Sequence, residues 1–438
     1  MDGFLDSLQE KLGPIAQKLN ENKYIAAIRD GFMGVMSLLI LGSIFLLFAN
    51  LPIPGYADFM AGIIGENWAT FFNTPYNMTM EIMTVFVVIG IARSLAKSND
   101  IDDLGAILWA LVAFFILTPT PTFEWSGSEA SFFPMANFSA SGLFLGMLSA
   151  VIAVELMAFV LKKGWKINLP ESVPSNVSKS FDALIPGLFI IVLFMGVRVL
   201  FGLTEFGTAQ SFIFQIIQRP LTSIGTSLPA TVLVIILETI LFSFGLHGPN
   251  ILGGIMTPLW LSTMAENLQA FQAGSALPNI VTYQFYQNFI KVGGAGATFG
   301  LVLMCLFIAK SSHYKTLGKL AVGPSIFGIN EPLIFGLPIV LNPIFIIPFI
   351  IAPVVLTILT YIVMSTGIIP PTSGVNIPWT TPVIVSGFIV SGWRGALWQV
   401  VEIFIAGAIY YPFFLISDRK ALAEEQGQME NEAVTSQG

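Results

Sequence analysis

The residues best suited to chemistry lie in the motif Gly-Ile-Asn-Glu-Pro at 328–332. It places a carboxylate, Glu331, and a side-chain amide, Asn330, inside the otherwise apolar run 321–340, among prolines and glycines. Because proline removes a backbone donor and glycine weakens a helix, a straight membrane-spanning helix is not expected here. Broken backbone is tolerated at membrane depth where it is buried in protein or lines a water-filled cavity. A carboxylate in such a place is costly and therefore indicates a function. The alternative is a loop whose Glu331 faces bulk water.

Two further residues have side chains suited to binding a sugar. His247 lies in Gly-Leu-His-Gly-Pro-Asn at 245–250, at the end of an apolar run, where imidazole can exchange hydrogen bonds with a hydroxyl. Trp379 lies in a second interrupted stretch, 368–392. An aromatic face that stacks on a pyranose, beside polar groups for its hydroxyls, is typical of a ligand pocket. The alternative for His247 is a core histidine whose hydrogen bonds are satisfied within the protein. The alternative for Trp379 is a place in the aromatic belt at the membrane interface.

The remaining polar residues within apolar sequence are expected to have structural roles. Glu238 and Arg198 are interpreted as residues that bond one helix to another, since charges within apolar sequence are usually paired. Glu402 is too far from Arg394 for a pair within one helix and is expected to bond a neighbouring helix. The glycines at 293, 294 and 296 are interpreted as small-residue packing between helices, and His313 as an ordinary loop residue.

Composition identifies an all-α polytopic membrane protein. The chain has 438 residues, of which 55% are apolar and 10% charged, with mean hydropathy +0.79, whereas soluble domains carry about 25% charged residues. The net charge of −7 and the scattered basic residues give no nucleic-acid surface. The single cysteine, Cys305, excludes a disulfide framework, and neither it nor the two distant histidines suggests a metal. No metal or other cofactor is expected, and no signal peptide is evident.

Apolar runs of about twenty residues predict ten membrane spans. Lysine and arginine recur before the first span and after the second, fourth, eighth and tenth, which predicts that both termini are cytoplasmic. The region 247–292 leaves the count open by two. The predicted spans are 30–51, 76–96, 102–121, 142–163, 185–204, 229–247, 249–266, 293–310, 341–366 and 393–416.

The chain divides near residue 205 into two membrane domains. Periodicity predicts an amphipathic helix at 1–29, which lies either along the membrane surface or in a small cytosolic cap. The first membrane domain, 30–204, has compact spans, and a second interfacial helix is expected at 205–228. The domain 229–416 is punctuated by glycine and proline, and interrupted segments of this kind in transporters mark the substrate site. The polar segment 417–438 is expected to be a flexible cytosolic tail.

With these motifs in view, the chain resembles enzyme IIC, the membrane component of the bacterial phosphoenolpyruvate-dependent sugar phosphotransferase system. It looks most like the lactose/cellobiose branch, close to the N,N′-diacetylchitobiose permeases. The resemblance covers nearly the whole chain. It rests on the amphipathic opening, His-Gly-Pro-Asn at 247–250, Gly-Ile-Asn-Glu-Pro at 328–332 and Asn-Ile-Pro-Trp at 376–379, in that order.

The resemblance implies a homodimer in the bacterial plasma membrane, with the amino-terminal domain at the dimer interface and re-entrant hairpins in the sugar-binding domain. It implies a bound disaccharide whose 6-hydroxyl lies near Glu331, with His247 and Asn330 on sugar hydroxyls and Trp379 lining the pocket. The family's phosphoryl donor is a cysteine of phosphorylated enzyme IIB. Because Cys305 lies in a hydrophobic span, enzyme IIB must be a separate chain, and phosphoryl transfer requires both.

Two other functions remain open from the residues alone. The first is a proton-coupled sugar symporter with Glu331 as its proton site. The second is a flippase or channel that uses the glycine and proline breaks as a pore. Dependence on phosphoenolpyruvate distinguishes group translocation from both. The sequence leaves the choice among diacetylchitobiose, cellobiose and lactose open.

Overall fold

The computed structural model describes residues 14, 17–19, 21–49, 55–167, 181–337, 339 and 342–435. The expected amphipathic helix at 1–29 therefore falls largely outside the described residues. Contacts divide the chain into two compact units, one of Leu19–Gly225 with Gly253–Ala265 and one containing Thr226–Leu252 with Glu266–Gly438. The first is called the amino-terminal unit and the second the carboxy-terminal unit.

The amino-terminal unit is almost entirely helical. Its strands, β1 (Thr122–Trp125) and β2 (Ser128–Ser131), follow the fifth helix and precede two short 3₁₀ turns, Met135–Phe138 and Ala140–Gly142. A π-helical segment, Ile213–Gln218, joins its last two helices. The helices are α1 (Lys23–Ala49), α2 (Tyr56–Ile64), α3 (Trp68–Asn77), α4 (Met83–Asn99), α5 (Asp103–Leu117), α6 (Leu143–Lys162), α7 (Leu184–Gly202), α8 (Ala209–Phe212) and α9 (Arg219–Gly225).

Small residues and polar bonds hold the first helices together. A Cβ added to Gly90 of α4 would lie 2.8 Å from the Cα of Gly31 in α1, so the two backbones are in contact. At the start of α1, Lys23 Nζ donates to Glu155 Oε1 of α6 at 2.7 Å and to Asn99 Oδ1 of α4 at 3.1 Å. These bonds join three helices through one side chain.

Arg198 of α7 confirms its expected role between helices. Its guanidinium donates to the carbonyl oxygens of Ile116 at 2.5 Å and Thr118 at 3.1 Å, and to Thr120 Oγ1 at 3.1 Å. The last carbonyls of a helix lack partners within it, and a cation satisfies those of α5 here. The β-hairpin that follows was not predicted from sequence. It turns at Ser126 and Gly127, whose φ values of 52° and 79° suit a tight two-residue turn.

The carboxy-terminal unit contains many broken helices. Helix α11 contributes residues to both units, and α16 is kinked at Ser391 and at Gly392, whose φ is 69°. A π-helical segment, Phe285–Ile290, precedes α12. The helices are α10 (Leu228–Ser243), α11 (Gly248–Gln272), α12 (Phe299–Phe307), α13 (Ser312–Ile326), α14 (Glu331–Gly336), α15 (Pro343–Ser365) and α16 (Val385–Thr435).

The core of this unit lies among α12, α13, α14, α15 and α16. A Cβ added to Gly300 of α12 would lie 2.7 Å from the Cα of Gly407 in α16, so these two helices are also in backbone contact. Because lipid tails are as apolar as these side chains, close van der Waals packing between the helices supplies the stabilising contacts. The fully buried side chains of the core cluster include Leu301, Leu333, Phe345, Phe349, Tyr410 and Phe414.

The all-α membrane class is confirmed, but the count of ten spans is not. Within the described residues, five helices are long and apolar enough to cross a membrane, or six if Ala209–Gly225 and Leu228–Ser243 form one broken span. The predicted span 293–310 contains only the nine-residue helix α12, since glycines interrupt its first part. The five long helices are Lys23–Leu46, Ala140–Lys162, Leu184–Gly202, Ile344–Ser365 and Val385–Gly427.

The expectation of a flexible tail at 417–438 is wrong as far as Thr435. Helix α16 continues to that residue, and Asp418 is buried. The segment is polar, but it is rich in Ala, Glu and Gln, which are strong helix formers. The polarity of the segment indicated that it is exposed to solvent. Its helix propensity and the contacts of Asp418 determine that it is helical.

Candidate functional site

The 328–332 motif ends one helix and starts the next. Gly328 has a φ of 76°, and its N–H donates to Ser325 O while Ile329 N–H donates to Pro324 O, both at 3.1 Å, which closes the end of α13. Helix α14 then begins at Glu331, with Pro332 in its first turn. The interruption expected from proline and glycine is confirmed. Glu331 is exposed, so its carboxylate is available to a ligand.

Asn330 is buried, and its amide nitrogen is already committed. Its Nδ2 donates to Ala295 O at 2.7 Å and to Thr298 Oγ1 at 2.9 Å. Since a side-chain amide has only two N–H groups, its remaining capacity is that of Oδ1 as an acceptor. Asn330 therefore ties the motif to the segment Gly293–Ala297, which is called the glycine loop.

The glycine loop is a backbone break, which its sequence interpretation as helix packing did not predict, although Gly296 also packs closely against Phe349 of α15. Gly293, Gly294 and Gly296 have φ values of 78°, 101° and 79°, in the region open mainly to glycine. Tyr410 donates to Gly296 O at 2.7 Å, and Thr298 donates to Gly293 O at 2.9 Å. These bonds satisfy carbonyls that a continuous helix would have satisfied.

Replacing Gly294 with alanine is expected to destabilise the site. The new Cβ would lie 2.5 Å from Asn330 Cγ at a backbone conformation that alanine rarely adopts, which costs about 1–3 kcal/mol. Thermal unfolding in detergent measures the loss. The matched control is Gly323→Ala in α13, where a Cβ meets no atom within 4 Å. Equal unfolding temperatures for the two variants would contradict the assignment.

His247 lies between α10 and α11 and caps the second of these helices. Its Nδ1 accepts from Asn250 N–H at 3.2 Å. In the neutral ring the proton therefore resides on Nε2, which is left to donate to a ligand. The side chain is exposed, so the alternative of a buried core histidine is wrong.

Trp379 is half exposed and lies against the 328–332 motif. A Cβ added to Gly328 would lie 3.4 Å from Trp379 O and 3.9 Å from its ring atom Cε3. Val383 N–H also donates to Ile326 O at 3.1 Å, which attaches this loop to the end of α13. The structure thus brings Trp379 and Glu331 to the same segment although 48 residues separate them in sequence (379 − 331).

Buried amides that were not predicted from the sequence fix the second interrupted stretch. Gln284 Nε2 donates to Asn376 Oδ1 at 2.6 Å, and Thr282 shares a hydrogen bond of 2.7 Å with Thr372. Gln399 Oε1 accepts from the N–H groups of Ile384 and Gly387 at 2.6 and 2.9 Å, while its Nε2 donates to Asn288 O at 2.8 Å. The signal was present as amide side chains within apolar sequence.

A buried ionic cluster lies beside the His247 break. Lys291 Nζ is 2.9 Å from Glu238 Oε1 and also donates to Tyr286 Oη. Tyr286 Oη in turn donates to Glu238 Oε2 at 2.5 Å. A Cβ added to Gly248 would lie only 2.1 Å from Glu238 O, which places this cluster next to His247. The expectation that Glu238 bonds another segment is confirmed, whereas the part played by Lys291 was missed.

The glycine loop connects the two groups of candidate residues. The ring of Phe242 lies 5.4 Å from His247 and 5.7 Å from Phe349, centroid to centroid. Phe349 in turn contacts Gly296, where an added Cβ would lie 2.2 Å from its ring. Asn330 bonds the same loop from the other side. Among the residues that the structure describes, no group of three or more His, Cys, Asp and Glu could hold a metal ion.

Comparison with known proteins decides the family. The model of the family "Phosphotransferase system, EIIC" matches residues 29–353. The chain belongs to the EIIC family. Its relatives include the cellobiose-specific EIIC component of Geobacillus stearothermophilus, 41% identical over 97% of each chain. They also include a lactose-specific EIICB component of Staphylococcus aureus, 32% identical over 96% of this chain and 74% of that one.

A solved EIIC structure has the same fold. It is the crystal structure of ChbC, the IIC component of an N,N′-diacetylchitobiose-specific phosphotransferase system, with a TM-score of 0.92 and 41% identity. The similarity covers 96% of this chain and 99% of that one. The expected resemblance and the role in sugar transport are confirmed, and the proton-symporter alternative is not supported. Multi-pass membrane insertion follows from the family, while the dimer and the cytoplasmic termini stay predictions.

Proposed function

We propose that this EIIC chain is a permease for a disaccharide of the diacetylchitobiose or cellobiose type. It carries the sugar across the bacterial plasma membrane and presents its 6-hydroxyl to phosphorylated enzyme IIB. The observation that carries the proposal is the exposed carboxylate of Glu331 at the start of α14, on a segment that Trp379 contacts. The names of the cellobiose and diacetylchitobiose relatives support the substrate class.

The proposed roles follow from the groups that each side chain leaves available. Glu331 orients the 6-hydroxyl and accepts its proton as the oxygen attacks phosphorus. The new O–P bond replaces the S–P bond of the enzyme IIB phosphocysteine, and the thiolate leaves. His247 donates from Nε2 to a sugar hydroxyl, Asn330 accepts through Oδ1, and the ring of Trp379 stacks on a pyranose.

We propose that the phosphoryl donor is a cysteine of enzyme IIB and that Cys305 does not serve in this role. Cys305 is fully buried in α12 within the core cluster of the carboxy-terminal unit. A phosphorylated thiol must meet the sugar hydroxyl in line, which a buried side chain between packed helices cannot do. The relative named lactose-specific EIICB component, of which this chain covers 74%, includes a B component by its name, which supports enzyme IIB as the partner.

The amino-terminal unit is proposed to form a homodimer interface, with both termini in the cytoplasm. Helix α7 supports the interface, since only four of its 19 residues are buried within the chain. Leu188, Val192 and Val199 on this helix are each more than half exposed. The carboxy-terminal unit would then carry the bound sugar inward, by the rigid movement of one bundle expected of transporters.

Reconstituted vesicles test the proposed function. Uptake of radiolabelled diacetylchitobiose, cellobiose and lactose is measured with enzyme IIB either phosphorylated or unphosphorylated, and the internal product is identified. We expect sugar 6-phosphate to accumulate only with the phosphorylated partner, and competition among the sugars to identify the preferred one. Accumulation of unmodified sugar driven by a proton gradient would overturn the proposal and restore the symporter.

A further inference from the structure

Four consecutive backbone amides at the start of α13 are held by two carboxylates of α16. Asp418 accepts from the N–H groups of Lys310 at 2.8 Å and Ser311 at 3.0 Å. Glu425 accepts from those of Ser312 at 3.0 Å and His313 at 2.8 Å. The first amides of a helix have no partner within it, so these bonds fix where α13 begins. Asp418 and Glu425 are together called the carboxylate clamp.

His313, the last residue held by the clamp, also bonds the helix that carries Glu331. Its Nε2 lies 3.0 Å from the carbonyl oxygen of Gly336, the last residue of α14. A carbonyl can only accept, so Nε2 carries the proton and donates. A Cβ added to Gly336 would lie 2.3 Å from Leu317 of α13, which shows that the two helices are in contact at this end.

Helix α14 needs such external bonds to hold its position. It has only six residues, and a helix this short is not stable by itself in isolation. Asn330 holds its first end through the glycine loop, and His313 holds its last. Glu331 and Gly336 are about 8 Å apart along the helix axis, so a tilt at one end moves the carboxylate at the other.

We propose that His313 is a positioning residue for Glu331, itself oriented by the carboxylate clamp of α16. Its hydrogen bond to Gly336 keeps α14 in the orientation that aims Glu331 at the hydroxyl to be phosphorylated. The inference rests on the proposed role of Glu331. On this inference, the last part of α16 also contributes to the reaction, because its residues Asp418 and Glu425 orient His313.

The test compares sugar affinity with phosphorylation turnover in the full-length protein. His313→Ala removes the donor, whereas His313→Gln retains an N–H donor. Lys315→Ala on the same helix is the matched control, since Lys315 is exposed. We expect His313→Ala to lower turnover at saturating sugar about five- to tenfold, as the loss of one hydrogen bond implies. The sugar dissociation constant should change less than twofold, and His313→Gln should recover at least half of the turnover.

A second pair of variants examines the clamp. Glu425→Ala leaves two amides without their acceptor and should lower turnover by a similar factor. Combining it with His313→Ala should produce no further loss, because both act through one bond. Turnover of His313→Ala equal to that of Lys315→Ala would overturn the inference, as would an equal loss in His313→Gln and His313→Ala.

The two proposals fail in different ways. If Glu331→Gln is inactive while His313→Ala retains full turnover, the proposed function stands and the positioning role falls. If Glu331→Gln retains full turnover, the role of Glu331 falls, and any effect of His313 must act elsewhere. Unfolding temperatures of the His313 variants within a degree or so of the unchanged protein would confirm that a turnover loss is not caused by unfolding.

Discussion

Glu331→Gln is expected to lower phosphorylation turnover by about 100-fold or more. A glutamine side chain has nearly the same shape and can still accept a hydrogen bond from the sugar hydroxyl, but it cannot take the proton at neutral pH. Loss of a positioned general base typically costs about 10²–10⁴-fold. Exchanging a charged acceptor for a neutral one weakens a single hydrogen bond by about 1 kcal/mol, roughly fivefold in affinity. Turnover should therefore fall much more than sugar affinity.

Turnover is measured with purified protein, saturating sugar and phosphorylated enzyme IIB, and affinity by calorimetry without enzyme IIB. Glu424→Gln, an exposed acid on α16, is the matched control and should leave both unchanged. Loss of affinity and turnover by the same factor would reduce Glu331 to a binding residue. Full turnover in Glu331→Gln would remove it from the reaction.

Removing the cation from the buried Lys291–Glu238–Tyr286 cluster is expected to be the most damaging change to stability. In Lys291→Met, Glu238 keeps its bond from Tyr286 but loses its only described cation within 4 Å. Breaking a buried pair costs about 3–5 kcal/mol, because an uncompensated charge remains. The unfolding temperature in detergent should therefore fall clearly below that of the unchanged protein.

The paired variant Lys291→Met/Glu238→Gln distinguishes charge from packing. Since it leaves no buried charge, it should recover most of the stability lost in Lys291→Met. Lys315→Met, on the exposed surface of α13, should change stability by less than about 0.5 kcal/mol. A double variant no more stable than Lys291→Met would mean that the side chain of Lys291 stabilises by packing and not through its charge.

The local features of this fold were predictable because their signals are local. Proline and glycine punctuate the chain at 328–332, and the structure ends α13 and begins α14 there. The candidate residues Glu331, His247 and Trp379 could be selected because each is a polar or aromatic group beside such a break. Their side-chain type and the interruption lie within a few residues of one another.

Pairings across the chain could not be obtained in the same way. Glu238 and Lys291 are 53 residues apart (291 − 238), and the sequence around each gives no sign of the other as its partner. His313 was expected to be an ordinary loop residue, but it lies in the first turn of α13. Its hydrogen bond to Gly336, 23 residues away, has no signal in the short polar segment around it. Such contacts depend on how helices cross, which one sequence does not specify.

Two errors arose where one composition permits two conformations. Glycines in apolar sequence suit both close helix packing and positive φ, and both uses occur, at Gly300 and in the glycine loop. A polar, charged segment suits both a flexible tail and an exposed helix, and α16 takes the second form. Packing against neighbouring segments decides in each case.

The shortness of α12 has a consequence for the depth at which the sugar is held. Its nine residues span about 14 Å, roughly half of a hydrocarbon core about 30 Å thick. Its far end leads to the exposed charged residue Lys310, which we expect at the membrane surface. With α12 along the membrane normal, the glycine loop at its near end would lie close to the middle of the bilayer. On the proposed function, a sugar bound beside it would then be half a membrane away from the phosphoryl donor.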